Sequence, residues 1–143
     1  FESIYSLHVE ECGMFIHPQH KFLAAYPDGL IDQDAILEIK CPYAARNMEV
    51  EDAVKKKIID YCYIENNKVK LKDNHNYMSQ IQGLLEITNR EYCYFFIYTF
   101  KDYNCEIIKR NKQFWENQMV GKLERFYSSA YLFELLDSRY NRN

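Results

Sequence analysis

The sequence predicts one α/β or α+β domain. Its 143 residues are enough for a single unit with a real core and too few to expect two. Hydrophobic residues make up 48% of the chain and aromatic residues 16%, with thirteen tyrosines, a composition typical of a packed globular chain. Segments with strand-like alternation are interleaved with segments of helical periodicity, so both element types are expected.

A hairpin is predicted first. Glu11 to Ile16 and Phe22 to Tyr26 have the composition of short strands, and the turn-like stretch His17 to His20 separates them. A third strand is predicted from Ile36 to Cys41, and Pro42 ends it.

The third strand carries charges inside apolar sequence. A two-residue period places Glu38 and Lys40 on one face, with Leu37 and Ile39 on the other. Turn signals at Asp28-Gly29 and at Asp32 to Asp34 precede this strand, and they predict a reversal of the chain that brings Asp28 beside Glu38.

The rest of the chain predicts helices and strands in a definite order. These are a helix over 43–60, short extended pieces around a polar turn at 65–68, a helix over 77–88, a strand over 92–100, an edge strand over 105–109, a long amphipathic helix from Lys112 to Asp137, and a polar, frayed tail from Ser138 to Asn143.

Three of these elements have informative patterns. The helix over 77–88 follows N-cap candidates at 73–76 and buries one stripe, whereas the aromatic and β-branched strand over 92–100 is expected to be covered on both faces. The long helix has a stripe that we assign to core or interface packing. Its members are Trp115, Met119, Leu123, Phe126, Ala130 and Phe133.

Composition says less about the function of the chain than it says about the fold. No run of eighteen apolar residues and no signal peptide is seen, so we expect a soluble intracellular protein without a membrane association. The net charge of −3 does not indicate a nucleic-acid binder, although phosphate affinity depends on where the cations lie. The cluster of lysines from Lys55 to Lys72 is either a solvated surface or a patch that follows phosphates.

The five cysteines have no spacing typical of a disulfide framework and are expected to be reduced. A zinc site formed by Cys12, His17, His20 and Cys41 is an alternative, but no C-x-x-C pair supports it. We favour small buried thiols and a pair of turn histidines.

Two carboxylates and an amine at one place suit a divalent cation with oxygen ligands and a lysine beside the reacting water or phosphate. The alternative for Asp28, Glu38 and Lys40 is an ordinary solvated sheet face.

Four sequence blocks resemble the PD-(D/E)XK nucleases, and most closely the YqaJ-type viral recombinase and phage lambda exonuclease family. In chain order they are Gly13 with His17-Pro18 and His20, Pro27-Asp28-Gly29-Leu30, Leu37-Glu38-Ile39-Lys40-Cys41-Pro42, and Tyr77-Met78-Ser79-Gln80-Ile81-Gln82-Gly83. The resemblance extends from about Gly13 to Thr99, and the four blocks in order are more specific than the Asp, Glu and Lys pattern alone.

The resemblance implies a restriction-endonuclease-like α/β core, with a mixed central β-sheet flanked by helices, in a single domain over residues 1–143. It also implies that the helix that usually opens this fold is missing, so that either the domain is truncated at its N-terminus or the site lacks one carboxylate and is weak. The family has a further glutamate on that helix, which Glu10 and Glu11 do not match. Tyr26 stands where family members often have a small residue.

The resemblance also implies the site. Asp28 and Glu38 would bind Mg2+ or Mn2+ together with the backbone carbonyl of Ile39, and Lys40 and Gln80 would complete the catalytic set. The implied DNA-binding residues are Tyr77, Gln82, Lys55, Lys56 and Lys57.

The implied function is that of a metal-dependent deoxyribonuclease, a 5′-to-3′ exonuclease acting on the ends of double-stranded DNA in viral or mobile-element recombination, within a ring-shaped homotrimer. Three alternatives stay open. They are a nuclease-fold DNA-binding module with weak or no activity, a restriction-like endonuclease that cuts closed circular DNA, and an interaction domain whose tyrosine-rich surface binds protein.

Overall fold

The computed structural model describes residues 1–136 and contains eight strands among them. These are β1 (Phe15–Ile16), β2 (Ala24–Ala25), β3 (Gly29–Ile31), β4 (Ala35–Lys40), β5 (Cys62–Glu65), β6 (Lys68–Leu71), β7 (Tyr92–Tyr98) and β8 (Tyr103–Lys109). The helices are α1 (Glu2–Tyr5), α2 (Val50–Lys55), α3 (Asn76–Thr88), α4 (Lys112–Phe114), α5 (Val120–Phe126) and α6 (Leu132–Leu136), with a 3-10 turn at Tyr43–Ala45 and π-helical stretches at Trp115–Met119 and Tyr127–Tyr131.

The chain forms two compact units, Phe1–Arg110 and Asn111–Asn143. The prediction of a single domain over the whole chain stays a prediction. In the described part of the chain, no helix combines the length and the apolar character that are needed to cross a membrane.

A mixed four-stranded sheet in the order β3-β4-β7-β8 lies at the centre of the first unit. Strand β4 pairs antiparallel with β3 and parallel with β7, and β8 pairs antiparallel with β7 at the edge. Two separate hairpins, β1-β2 and β5-β6, accompany it. The predicted mixed α/β fold and the predicted edge position of the last strand are therefore confirmed.

Both faces of the sheet are covered. Ile36 and Phe95 belong to the larger apolar cluster, which also contains Ile81 and Leu85 of α3. Leu37 and Phe96, which point the other way, belong to a second cluster. The expectation that the aromatic strand is covered on both sides is confirmed.

Strand β3 is the largest omission from the sequence-based assignment. The Asp28-Gly29 pair is not a turn, because Gly29 is a buried residue of β3. The chain reverses at the second predicted turn, where Asp32 adopts a positive φ of 48°. The consequence predicted for Asp28 still holds, because β3 and β4 pair as a hairpin with Gly29 opposite Leu37.

The first hairpin is present but short. Strands β1 and β2 have two residues each and pair Phe15 with Ala25. The imidazole Nδ1 of His17 accepts hydrogen bonds from the backbone N–H groups of Gln19 and His20, both at 3.1 Å, and so fixes the connecting turn.

The helix predicted over 43–60 is wrong in length. A 3-10 turn comes first, and α2 has only six residues. Its first N–H, that of Val50, donates to the Asp102 carboxylate at 2.8 Å. Its end is set at Lys57, whose φ is 57°, and the next residues turn so that Ile59 is fully buried. Tertiary contacts therefore override the charge pattern.

The second unit is helical from Lys112 to Leu136, close to the predicted range. Trp115 of the predicted stripe is buried, but 61% of Phe126 and 64% of Phe133 are exposed. These two residues are therefore not in the core, and the alternative of interface packing stays a prediction for them. The two π-helical stretches shift the register by widening the turn and rotate later residues off the expected face. Asp137 and the tail predicted over 138–143 lie outside the described residues.

Candidate active site

Strand β4 presents Glu38 and Lys40 on the face that Ile36 shares, as the alternation predicts. Ile36 is fully buried against α3 in the larger core cluster. Helix α3 therefore covers the beginning of this face, and the two charged side chains follow near the end of the strand.

Asp28 is fixed beside β4 by backbone pairing. Its own N–H donates to the carbonyl of Leu37 at 3.1 Å, and its Oδ2 accepts from the N–H of Ile39 at 2.6 Å. The hairpin thus places the carboxylate of Asp28 next to the strand segment that contains Glu38. The predicted proximity of Asp28 and Glu38 agrees with this geometry.

Glu38 is the centre of the cluster. Only 3% of the residue is exposed, and its Oε1 accepts from Lys40 Nζ at 2.5 Å and from Gln80 Nε2 at 2.8 Å. Burial raises the pKa of Glu38, while the hydrogen bond and charge of Lys40 oppose that change and the nearby carboxylate of Asp28 adds to it. Burial therefore disfavours the ionised form of this carboxyl group, and the ammonium of Lys40 and the amide of Gln80 both oppose that effect.

Lys40 makes further contacts within the cluster. Its Nζ lies 3.4 Å from Gln80 Oε1 and 4.5 Å from the centroid of the Tyr77 ring, over the ring face. Tyr77 therefore supports the ammonium by a cation–π contact. Four of the residues singled out in the sequence, Glu38, Lys40, Tyr77 and Gln80, meet at one place.

Helix α3 supplies Tyr77 and Gln80, and its start is well defined. His75 is the N-cap, and its Nδ1 accepts from the N–H of Tyr77 at 3.1 Å. The helix ends at Asn89, which has a left-handed conformation with φ of 55°. The first turn of α3 is thereby locked at the position from which Gln80 reaches Glu38.

Gln82 is not part of this cluster. Only 4% of the residue is exposed, and its Nε2 donates to the backbone carbonyl of Lys109 at 3.0 Å. Two residues along a helix correspond to a rotation of about 200°, so Gln80 and Gln82 necessarily point in different directions. The structure gives Gln82 a role in joining α3 to β8.

The three predicted DNA-binding lysines are exposed at the end of α2 and in the turn that follows it. Lys55 forms an ion pair of 2.6 Å with Glu51. Lys55 and Lys57, together with Lys72, line a groove of about 370 Å³. The residues that line this groove do not include Asp28, Glu38, Lys40 or Gln80.

The donor set around Glu38 fits a hard divalent cation. Asp28 and Glu38 offer carboxylate oxygens, and Ile39 between Glu38 and Lys40 offers a backbone carbonyl, which are ligand types that Mg2+ accepts while it keeps several waters. Within residues 1–136, no group of three or more His, Cys, Asp or Glu side chains is arranged to hold a metal ion. The alternative zinc site is thus not formed there. Cys41 is exposed, whereas His17 serves the turn described above.

One supporting residue was missed from the sequence. The Nη1 of Arg90, just after α3, donates to the carbonyls of Asp32 at 2.9 Å and Ala35 at 2.8 Å. It also lies 3.3 Å from the carbonyl of Ile31. Arg90 therefore closes the β3-β4 reversal that positions Asp28, but its targets are more than fifty residues away and no local pattern indicates them.

Comparison with known proteins agrees with the motifs. A family model described as a YqaJ-like viral recombinase domain matches residues 1–91, a range that includes Asp28, Glu38, Lys40 and Gln80. No curated protein sequence matches the chain.

Solved structures share the fold. The crystal structure of an alkaline exonuclease (LHK-Exo) from Laribacter hongkongensis aligns with a TM-score of 0.65 and 22% identity over 99% of this chain and 64% of that chain. The structure of LHK-Exo in complex with dAMP aligns with a TM-score of 0.66 and 21% identity over 97% of this chain and 67% of that chain. The chain thus spans less than two thirds of the first of these structures. The family model covers more than half of the chain and confirms the resemblance drawn from the motifs: the chain belongs to the YqaJ-like viral recombinase domain family.

Proposed function

We propose that the chain is a metal-dependent deoxyribonuclease that hydrolyses phosphodiester bonds of double-stranded DNA as a 5′-to-3′ exonuclease. The observation that carries this proposal is the Glu38 carboxylate, which is buried and held between Lys40 and Gln80 beside Asp28. A solvated sheet face would expose these charges to water, whereas here the carboxylate of Glu38 and the ammonium of Lys40 are largely buried. Burying charged groups costs free energy, and such buried charges are typical of a functional site.

Asp28, Glu38 and the carbonyl of Ile39 are the groups that would hold Mg2+ or Mn2+. When bound, the ion would neutralise charge on the phosphate and acidify a water molecule. The hydrogen bond from the N–H of Ile39 to Asp28 orients that carboxylate, and Gln80 does the same for Glu38. Both carboxylates are therefore preorganised and lose little side-chain freedom on binding.

Lys40 would supply the positive charge that the reaction needs at this site. Its ammonium would orient the attacking water and stabilise the charge that develops on the phosphate oxygens. Tyr77 below the ammonium limits its movement. Gln80, which contacts both Lys40 and Glu38, would position the water or the scissile phosphate through its amide.

The substrate is proposed from the family and from the charges. Lys55, Lys56 and Lys57 would contact the phosphates of a duplex away from the cleaved bond, independently of sequence. Tyr77 stays a weaker candidate for DNA contact, and the burial of Gln82 speaks against such a role for that residue. The similar LHK-Exo has been solved with dAMP, which supports a nucleoside monophosphate as the released product. Assembly into a ring-shaped homotrimer and a role in recombination belong to the same proposal.

A comparison of linear and closed circular DNA tests this function. With Mg2+ or Mn2+, the protein should release acid-soluble nucleotides from a 5′-phosphorylated linear duplex and leave a closed circle intact, whereas EDTA should stop the release. Lys40→Ala should lower the rate by about 10²- to 10³-fold. Lys122→Ala, in the second unit, removes the same charge and should leave the rate unchanged. Cutting of the closed circle would indicate an endonuclease instead.

A DNA-binding module without activity is the second candidate. The small number of carboxylates at the site favours this candidate, because the described residues include no third carboxylate grouped with Asp28 and Glu38. Such a module would shift a labelled duplex in a binding assay both with and without Mg2+ and would release no nucleotides. Lys40→Ala would then weaken binding only by the amount expected for the loss of one phosphate contact.

A further inference from the structure

A small apolar pocket opens directly after the charged end of β4. It has a volume of about 210 Å³ and is lined by Cys41, Pro42, Tyr43, Arg46, Tyr98, Thr99 and Phe100. In the parallel pairing, Lys40 lies opposite Ile97, so Cys41 and Tyr98 are the next residues at the same edge of the sheet. The pocket therefore continues from the proposed catalytic lysine at the carboxyl ends of two neighbouring strands, where open α/β sheets bind ligands.

Two aromatic rings at the pocket are exposed to a degree that the fold does not require. The exposed fractions are 77% for Tyr43 and 71% for Phe100. The guanidinium of Arg46 lies over the Tyr43 ring, 3.9 Å from its centroid. Exposed rings beside a flat cation are surfaces on which another planar, aromatic group stacks.

The walls of the pocket are held by backbone contacts. The N–H of Phe100 donates to the carbonyl of Arg46 at 2.8 Å, and the Nη1 of Arg46 donates to the carbonyl of Tyr43 at 2.8 Å. Thr99, only 2% exposed, accepts at Oγ1 from the N–H groups of Lys101 and Asp102. The backbone that carries the two rings is thus fixed, so that binding a ligand needs ordering of the side chains alone.

We propose that this pocket, formed by Tyr43, Arg46, Tyr98 and Phe100, takes up a nucleobase of the strand whose phosphate lies at Lys40. This inference rests on the proposed function for the position of that strand. The apolar lining and the flat stacking surfaces suit any of the four bases, because each has an aromatic face. The pocket would hold any base by stacking, without distinguishing one base from another. It would thereby fix the position of the strand relative to the scissile bond.

Abasic nucleotides test the pocket. The probe is a 3′-fluorescein-labelled, 5′-phosphorylated single strand of about twelve nucleotides, intact or with one abasic site at position 1, 2 or 3 from the 5′ end. Binding is measured by fluorescence anisotropy in EDTA, so that hydrolysis does not interfere. One abasic position should weaken binding by roughly 5- to 100-fold, the range for loss of one stacked base.

Variants assign the effect to the pocket. Phe100→Ala and Tyr43→Ala should bind the intact strand as weakly as wild type binds the abasic one, with no further loss at the abasic strand. Phe100→Tyr and Tyr43→Phe keep the rings and should behave like wild type. Tyr92→Ala, at the opposite end of β7, is the control for loss of an exposed aromatic residue, and thermal unfolding checks that each variant folds.

The outcomes separate this inference from the nuclease proposal. Equal binding of intact and abasic strands by wild type would overturn the proposal of a base-binding pocket. A loss of affinity in Phe100→Ala that is the same for both strands would overturn it as well. Either result is compatible with hydrolysis of a linear duplex. Discrimination that disappears only in the ring-removing variants supports the pocket, even if no nucleotide release is seen and the nuclease proposal fails.

Discussion

The side-chain amide of Gln80 on α3 donates a 2.8 Å hydrogen bond to Oε1 of Glu38 on β4. The same oxygen accepts from Lys40, so one helix and one strand share a single carboxylate. This contact connects two motifs that are far apart in the sequence. It makes Gln80 part of the candidate site instead of one more polar residue on a helix surface.

Removing the Gln80 amide should lower activity more than stability. Gln80 is exposed and Glu38 retains Lys40, so Gln80→Ala should change the free energy of unfolding by no more than about 1 kcal/mol. Without the amide, the Glu38 carboxylate and the reacting group are less well oriented, and we expect kcat to fall about 10- to 100-fold. Steady-state kinetics and urea unfolding measure the two effects, with Ser79→Ala as the control on the same helix. A large loss of stability with unchanged kcat would make Gln80 a structural residue.

The charge of Asp28 should matter for metal binding, while its hydrogen bond should matter for the fold. In Asp28→Asn the side-chain oxygen can still accept from the N–H of Ile39, so the metal-free protein should unfold at nearly the wild-type temperature. Mg2+ at about 100 times its Kd should stabilise wild type by about 2.7 kcal/mol, and Asp28→Asn should lose most of that gain. Asp28→Ala should in addition unfold earlier without metal. Differential scanning fluorimetry with and without Mg2+ measures both, and equal Mg2+ shifts in wild type and Asp28→Asn would contradict a metal site here.

Gly29 should be required for a steric reason. A Cβ at this position would lie 2.3 Å from Cγ1 of Val9, which is far too close for two carbon atoms. Gly29→Ala should therefore destabilise the protein by about 1–3 kcal/mol, the usual cost of overpacking.

A second substitution tests that reason. Val9→Ala removes the clashing methyl group, so the double variant should be more stable than the sum of the two single effects predicts. Chemical unfolding of the four proteins in this cycle gives the interaction energy. An interaction energy of zero would mean that the backbone of β3, and not the space beside it, demands glycine.

The stability of the first unit should depend on pH through Glu106. This residue of β8 accepts from the N–H of Leu71 at 2.7 Å, and burial raises its pKa above the ordinary 4.5, against the opposing effects of that hydrogen bond and of Lys70. Because the folded state favours the neutral carboxyl group, the stability that it contributes is present below about pH 4.5 and is lost as the pH rises through the raised pKa.

Glu106→Gln keeps an acceptor and stays neutral at every pH. We expect it to match wild type near pH 4 and to unfold at a higher temperature near pH 7.5, as measured by thermal unfolding across that range. Glu116→Gln, an exposed position in the second unit, controls for net charge. A lower unfolding temperature for Glu106→Gln at pH 7.5 would mean that ionised Glu106 gains more from Leu71 and Lys70 than it loses by burial.

Local pattern was sufficient for much of the fold. The alternation of apolar and charged residues in β4 places Glu38 and Lys40 on one face, and helical spacing identifies α3 to within one residue at its start. Turn signals were adequate for the β5-β6 hairpin. They were misleading at Gly29, where the close approach of Val9 and not a turn explains the glycine, and for α2, where Asp102 and the burial of Ile59 set the limits.

The sequence by itself determined which chemical groups this protein offers, because motif spacing and strand periodicity are local properties that residue order fixes. Strand periodicity indicated Glu38 and Lys40, turn signals added Asp28, and the resemblance to the nuclease family added Gln80. Only the tertiary structure decided how these groups meet: Glu38 became buried between Lys40 and Gln80, Gln82 turned away to Lys109, and Arg90 closed the β3-β4 reversal. Apart from the pair Glu38 and Lys40, these contacts join residues that are dozens of positions apart, and packing of the whole sheet against α3 selects them, so no local pattern contains them.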